Sequence, residues 1–349
     1  MSLTSMLRPL TILLTASGAP GTAALARALR ENGERSIRLV GSDMSKLSIG
    51  SHLLDAFHVT PGGTDPGFVD AVRTVCERER VDVVIPQSSY ELQALAEARD
   101  DFGETRVLVA NPDAVRRSND KAESYALLDA IDVRGPGWRR VRGAEAVAPA
   151  ARELGYPEKD VAFKPLVSSG SRGFRIVSAG ADRRRQLFEN RPGVAEALRL
   201  EELVELLAGD DTEVLVMELA TGRERTIDGI ARDGEVLLAH PKTREEMRAG
   251  LAMYFQTLAD PELMEIASRI AAELELDHFF NIQLVGDAVI EINPRISTIV
   301  YQEDLNLPYL GVKHALGELS GEELAAHQAR VRPTRKALRY FDQVEWDSA

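Results

Sequence analysis

Cysteine occurs once in the 349 residues, at Cys76. A single thiol excludes an internal disulfide framework and a cysteine metal cluster, and it fits a cytoplasmic chain. Basic residues are also in deficit: 42 Lys and Arg against 55 Asp and Glu leave a net charge of −13. Binding along a nucleic-acid backbone needs a basic footprint, so no nucleic-acid partner is expected. Long apolar runs are missing too. None approaches the roughly 20 residues of a membrane span, so no membrane partner is expected. The nearest is Leu10–Ala16 behind Arg8, which faintly resembles a secretion signal. It is short and leads into Gly18-Ala19-Pro20-Gly21 and an amphipathic pattern, as a first strand would.

Two nucleotide signatures are absent as well. There is no G-K-[ST], which excludes a Walker loop, and no G-x-G-x-x-G. Asp43 stands near the distance at which a dinucleotide site places its ribose acid. Pro20, however, removes a backbone donor where phosphate would want one, so an NAD site is not expected. No Ser–His or Cys–His nucleophile is evident either.

What is present begins with alternation. Within residues 1–112, strand candidates Leu10–Thr15, Ile37–Ser42, Asp82–Pro86 and Arg106–Ala110 alternate with helical spacings such as Phe68, Val72, Val75 and Cys76. This predicts a parallel sheet with helices on both faces, with Val84–Ser88 ending a strand where such sheets present ligand-facing residues. From residue 113 to 212, Ser118 or Asn119 is expected to cap a helix carrying Tyr125, Leu127, Leu128 and Ile131. Lys121 in its first turn opposes the helix dipole, which makes sense if it faces an anion. Val161–Lys164 and Phe174–Ser178 then read as a hairpin whose tip, Ser168-Ser169-Gly170-Ser171-Arg172-Gly173, has amides and hydroxyls able to close over phosphate. Few packing contacts hold such a tip, so it is expected to order on nucleotide binding.

In residues 213–349, Glu213–Leu219, Glu224–Arg232 and Glu235–His240 read as strands, the last two joined at Asp233-Gly234. Asp260 is expected to cap a helix over Pro261–Leu276, and the tail from about Ser320 to be peripheral. Phe279–Arg295, reading FFNIQLVGDAVIEINPR, sets Asn281, Gln283, Glu291 and Asn293 into two apolar strands. Such an oxygen-rich set suits a hard cation such as Mg²⁺. A two-residue turn at Gly286-Asp287 would pair Gln283 with Ile290 and send Glu291 to the other face. A three-residue loop or a bulge near Gly286–Ala288 pairs Gln283 with Glu291 and Asn281 with Asn293. The metal reading demands the second register.

N-x-Q followed by E-I-N-P-R, with Lys-Pro and S-G-S-R-G upstream, resembles the ATP-grasp family in its carbamoyl phosphate synthase large-subunit branch. The resemblance spans most of residues 10–315. It implies an α/β chain, α+β in its C-terminal half, with a Rossmann-like domain at 1–112 ahead of ATP-grasp subdomains at 113–212 and 213–349. It further implies Mg²⁺ on Gln283, Glu291 and Asn293, with Mn²⁺ able to substitute, and Arg295 and Lys164 as catalytic cations. ATP would meet Lys121, Lys164, Ser168, Ser169, Gly170, Ser171, Gly173, Met217, Glu218, Leu219 and Glu224, and Asp228 matches a further acidic position. Outside the resemblance, these acids read as solvated strand residues. His240–Gly250 is expected to be a loop lining the acceptor side, with Arg244, Arg248 and Ser297 binding substrate. The implied activity joins a small-molecule carboxylate to an amine through an acyl phosphate, releasing ADP. Alternatives are phosphorylation of a small acid by a single unit, or a nucleotide-binding regulatory subunit without turnover. A homodimer is left open. Departing from the pattern, bulky Ile299, Val300 and Tyr301 follow Arg295, so substrate identity does not transfer.

Overall fold

The computed structural model describes residues 7–166, 173–189, 197–248, 251–297 and 305–347. The expected phosphate-covering tip, Ser168, Ser169, Gly170 and Ser171, lies outside the described residues, as do Ile299, Val300 and Tyr301. Three sheets carry the fold. The first is parallel, with β1 (Leu10–Leu14), β2 (Ile37–Asp43), β3 (Ala56–Val59), β4 (Val83–Ile85) and β5 (Arg106–Val107) in the order β3-β2-β1-β4-β5. Ile12, Leu13 and Leu14 are buried in succession, because helices such as Thr22–Arg30 and Phe68–Glu79 cover both faces. Gln87 bridges the carboxyl ends of β1 and β4, donating to Thr15 O at 3.1 Å and accepting from Thr22 Oγ1 at 3.2 Å.

The second sheet has β6 (Trp138–Arg142), β7 (Val161–Pro165), β8 (Arg175–Val177), β9 (Ala197–Leu198) and β10 (Glu213–Glu218), ordered β6-β10-β7-β8-β9. The third has β11 (Glu224–Arg232), β12 (Glu235–Arg248), β13 (Leu251–Gln256), β14 (His278–Val285), β15 (Ala288–Asn293) and β16 (Lys336–Leu338), ordered β15-β14-β11-β12-β13-β16. β10 therefore pairs with β6 and β7, on the near side of the subdomain limit expected at residue 212.

Four local expectations need correction. The helix Lys121–Ala130 is capped by Asp120, whose carboxylate accepts from Ala122 N and Glu123 N; Ser118 and Asn119 end the preceding helix, Pro112–Asn119. The helix after Asp260 stops at Leu274, where Glu275 takes a left-handed conformation at φ 48°. His240–Arg248 is strand, not loop, since its backbone pairs with β11 and then β13. The tail is not peripheral: Leu324 is fully buried and β16 extends the third sheet.

Between the first and third sheets lies a polar clamp. Arg35 donates to Tyr309 Oη at 2.9 Å and pairs with Glu318, while Lys313 meets Glu34 at 2.7 Å. The third sheet itself depends on one small residue. At Gly229 in β11, a Cβ would stand 2.2 Å from Phe280 Cζ and 2.6 Å from Leu238 O. Gly229→Ala is expected to destabilise the fold by about 1–3 kcal/mol through overpacking. A thermal midpoint equal to that of the parent would contradict it.

Candidate active site

The β14–β15 hairpin decides whether the polar residues meet. Its turn has two residues, Gly286 at φ 59° and Asp287, with Val285 opposite Ala288. Ile290 then bulges, which restores Gln283 opposite Glu291 and Asn281 opposite Asn293. The expected pairing holds, with the extra residue nearer Glu291 than the turn. Tyr125 from the helix Lys121–Ala130 donates to Ile290 O at 3.0 Å and so satisfies the bulge carbonyl.

Opposed residues share a face, so the ladder extends the row across four strands. Thr226 faces Lys242 on one side and Gln283 on the other; Asp228 faces His240 and Asn281; Glu224 faces Arg244. Lys242 is fully buried, with Nζ 2.8 Å from Asp228 Oδ2, and Asn281 Nδ2 donates to Asp228 Oδ1 at 2.9 Å. Asp228 is therefore a buried, paired carboxylate and not a solvated strand residue. Asn281 Oδ1 accepts from Gln283 Nε2 at 3.0 Å and from Asn293 Nδ2 at 3.3 Å. Arg244 is 8% exposed; it donates to Gln283 Oε1 and lies 4.0 Å from Glu224. Burial pulls its guanidinium below the usual value.

Three cations surround Glu291. Lys121, only 3% exposed, sets Nζ 3.3 Å from Glu291 Oε1. The anion expected opposite this dipole-defying lysine is, in the protein alone, that carboxylate. Burial pushes Glu291 up, but Lys121, Lys164 and Arg295 outweigh it and bring the carboxyl down to about 2. Lys164, on β7, is pushed down to about 8 by burial and by Lys121, against the pull of Glu291. Arg295 donates Nη2 to Asn293 Oδ1 at 3.4 Å and Nε to Ser89 Oγ at 3.2 Å.

Other expected residues are less convergent. Met217 and Glu218 sit in β10, where Glu218 N donates to Gly137 O at 2.8 Å, and Leu219 follows half-buried. Gly173 takes φ 72°, and a Cβ there would meet Pro165 Cγ at 2.6 Å, so the hairpin ends pack closely. Ser297 is half-buried just beyond Arg295. Arg248 is not brought to the row. It lies four residues, or about 13 Å of strand, beyond Arg244, exposed, with its guanidinium 5.9 Å from the Phe341 ring centre. Lys242, His240 and Ser89 escaped the sequence reading; the period-two spacing of His240, Lys242 and Arg244 was the signal for the first two.

The donor set fits a magnesium ion that arrives with phosphate. Glu291 is the sole carboxylate among Gln283, Glu291 and Asn293, and no cluster of three His, Cys, Asp or Glu occurs among the described residues. Mg²⁺ is commonly held by one or two carboxylates plus substrate phosphates. With three cations around Glu291, phosphate oxygens are needed to balance the charge.

Comparison with known proteins agrees with this architecture. Residues 12–110 match the PylC-like N-terminal domain, and residues 210–337 match an ATP-grasp family described as ATP-grasp in the biosynthetic pathway with Ter operon. Among solved structures, an L-amino acid ligase from Bacillus licheniformis superposes at TM-score 0.63 and 15% identity, covering 95% of this chain and 79% of that one. The biotin carboxylase domain of Hydrogenobacter thermophilus 2-oxoglutarate carboxylase, in complex with MgADP, ADP and bicarbonate, gives 0.65 and 16%, covering 93% and 73%. Rhizobium etli pyruvate carboxylase gives 0.63 and 18% over 94% of this chain, which spans only 30% of that one. Among the described residues no helix is long and apolar enough to cross a membrane. Residues 12–110 thus match a PylC-like N-terminal domain and residues 210–337 an ATP-grasp family, and the chain as a whole shares the fold of these solved structures.

Proposed function

We propose that this protein is an ATP- and Mg²⁺-dependent carbon–nitrogen ligase that releases ADP. The observation that carries the reading is the convergence of Lys121, Lys164 and Arg295 on Glu291 and Asn293 from three separate elements. Such an array matches phosphoryl transfer, where catalysis is mainly positioning and charge neutralisation. Gln283, Glu291 and Asn293 would hold Mg²⁺, or Mn²⁺ in its place, which would supply positive charge to the phosphates.

In this reading the substrate carboxylate oxygen attacks the γ-phosphorus, and the bond to the ADP oxygen breaks. The acyl phosphate then loses phosphate as an amine nitrogen attacks the acyl carbon, and the amine gives up its proton to solvent. Lys121 and Lys164 hold the phosphate oxygens, and Arg295 balances charge on the transferring group. Met217, Glu218 and Leu219 border the base, and Glu224 reaches the ribose hydroxyls. Arg244 meets the substrate carboxylate in this reading, with Ser297 as a further substrate contact and Arg248 left outside the row. The L-amino acid ligase neighbour supports carboxylate and amine substrates, and the MgADP complex supports the nucleotide.

The test is ADP and phosphate release against a panel of carboxylates, bicarbonate included, each with and without an amine panel. Carboxylate-dependent ADP release is expected, with hydroxylamine trapping a hydroxamate. Tight ATP binding with no ADP release anywhere in the panel would instead favour a regulatory subunit.

A further inference from the structure

One side chain from the loop after β4 reaches Arg295 from a distant part of the sequence. Arg295 Nε donates to Ser89 Oγ at 3.2 Å, over 206 residues of sequence. The same residue's carbonyl accepts from Asn119 Nδ2 at 3.2 Å. Asn119 immediately precedes Asp120, the cap that sets Lys121 against Glu291. Ser89 thus touches two of the three segments that carry cations to the site, those of Arg295 and Lys121.

The loop that presents Ser89 is held firmly. Glu91, 3% exposed, accepts on Oε1 from Gln87 N at 2.8 Å and Ser88 N at 2.9 Å. Gly63 packs against it so closely that a Cβ there would lie 2.6 Å from Glu91 Cα. Gln87 is anchored in turn to Thr15 and Thr22. Burial lifts the Glu91 carboxyl to about 7 despite the backbone donors and Arg295. A buried acid retained beside this loop is a cost to stability, which makes sense if it fixes something functional.

We propose that Ser89 is a positioning residue for phosphoryl transfer: its hydroxyl aims the Arg295 guanidinium, and its carbonyl ties that aim to the segment bearing Lys121. A guanidinium on three rotatable carbons needs such a tether, because a displacement of about 1 Å can cost on the order of 10²-fold in rate. The inference rests on the ligase reading.

The experiment compares Ser89→Ala and Ser89→Thr with the parent. Turnover is read by ADP release, and ATP and ADP affinities by calorimetry. Ser89→Ala is expected to lower kcat about tenfold or more, the range for a hydrogen bond to a charged group, and to narrow the preference for ATP over ADP. Ser89→Thr, which keeps the hydroxyl, should restore both. In an Arg295→Lys background, which lacks Nε, Ser89→Ala should add little further loss. Unchanged kcat and ATP preference in Ser89→Ala, or a loss equally large beside Arg295→Lys, would overturn the proposal. A parent that binds ATP but never releases ADP would sink the ligase reading instead. The ATP-to-ADP preference would then still decide whether Ser89 aims Arg295 at the terminal phosphate.

Discussion

Glu291→Ala is expected to lower ADP formation by about 10²–10³, or roughly 3–4 kcal/mol, while ATP affinity holds. The two effects separate for an electrostatic reason. In the ligase reading, removing the carboxylate costs the metal its one charged protein ligand, so charge on the transferring group is left poorly balanced. The same change leaves Lys121, Lys164 and Arg295 without their common anion, and the phosphates of ATP can take its place. Binding gains on one side what it loses on the other. Stability, however, does not escape. A carboxylate lining a wet cleft would be dispensable to the fold, but Lys121 is 3% exposed and pairs with Glu291 at 3.3 Å. Stripping one partner from such a pair costs about 3 kcal/mol or more. Lys164, already at about 8, should also titrate lower once Glu291 no longer supports its charge. Glu291→Gln keeps an acceptor for Lys121 and separates lost chemistry from lost folding. Calorimetry of ATP binding beside ADP release makes the comparison; parental activity in both variants would remove Glu291 from the metal site.

The largest effect on stability is expected at Asp228. Asp228→Ala leaves Lys242, fully buried, without the carboxylate 2.8 Å from its Nζ. Breaking a buried pair in this way costs about 3–5 kcal/mol, because the remaining charge has no water to replace its partner. Asp228→Leu combined with Lys242→Met removes both charges and should recover most of that loss. Hydrogen exchange at the β11 and β12 amides reads the third sheet separately from the rest of the chain. Parental protection in Asp228→Ala would show that water reaches Lys242 after all.

Those two pairs also show why some of the site was legible and some was not. The N-terminal alternation, the oxygen-rich hairpin and the isolated cation at Lys121 rest on local patterns, and the structure has each where sequence puts it. The Asp228–Lys242 pair depends on register. In the β11–β12 hairpin the pairing slips between Ile230 and Ala231, so that Asp228 faces His240. Counting back from Asp233-Gly234 without that slip would turn His240, Lys242 and Arg244 to the opposite face. The second bulge, at Ile290, does the same for Glu291 and Asn293. Residue spacing alone does not place a bulge, because its cost and its compensation, here Tyr125 on the Ile290 carbonyl, come from elsewhere in the chain. The loop expected over His240–Gly250 came from the resemblance and not from residue spacing. Pairing with β11 and then β13 makes His240–Arg248 strand, buried from His240 to Arg244 and exposed at Arg248. Ser89 was less legible still, since nothing local links it to a residue 206 positions away.

The clamp of Arg35, Tyr309 and Glu318 bears on how the molecule can move. It ties the parallel sheet to the helix Leu307–Ala315 behind the third sheet, adding polar bonds to the apolar core those two lobes share. The second sheet is attached differently. Its outgoing and returning chains run side by side, with Glu218 N donating to Gly137 O at 2.8 Å and Gly137 N to Glu218 Oε2 at 3.0 Å. A paired ribbon of this kind bends more readily than a packed interface shears. In the ligase reading, admission of nucleotide and release of ADP would turn the second sheet about that ribbon, parting Ala162, Leu215 and Met217 from the shared core and carrying Lys164 with them. Arg295 and Ser89 both belong to the lobes so tied. Such a turn would leave Arg295 on Ser89 and change only how near Lys164 stands to them.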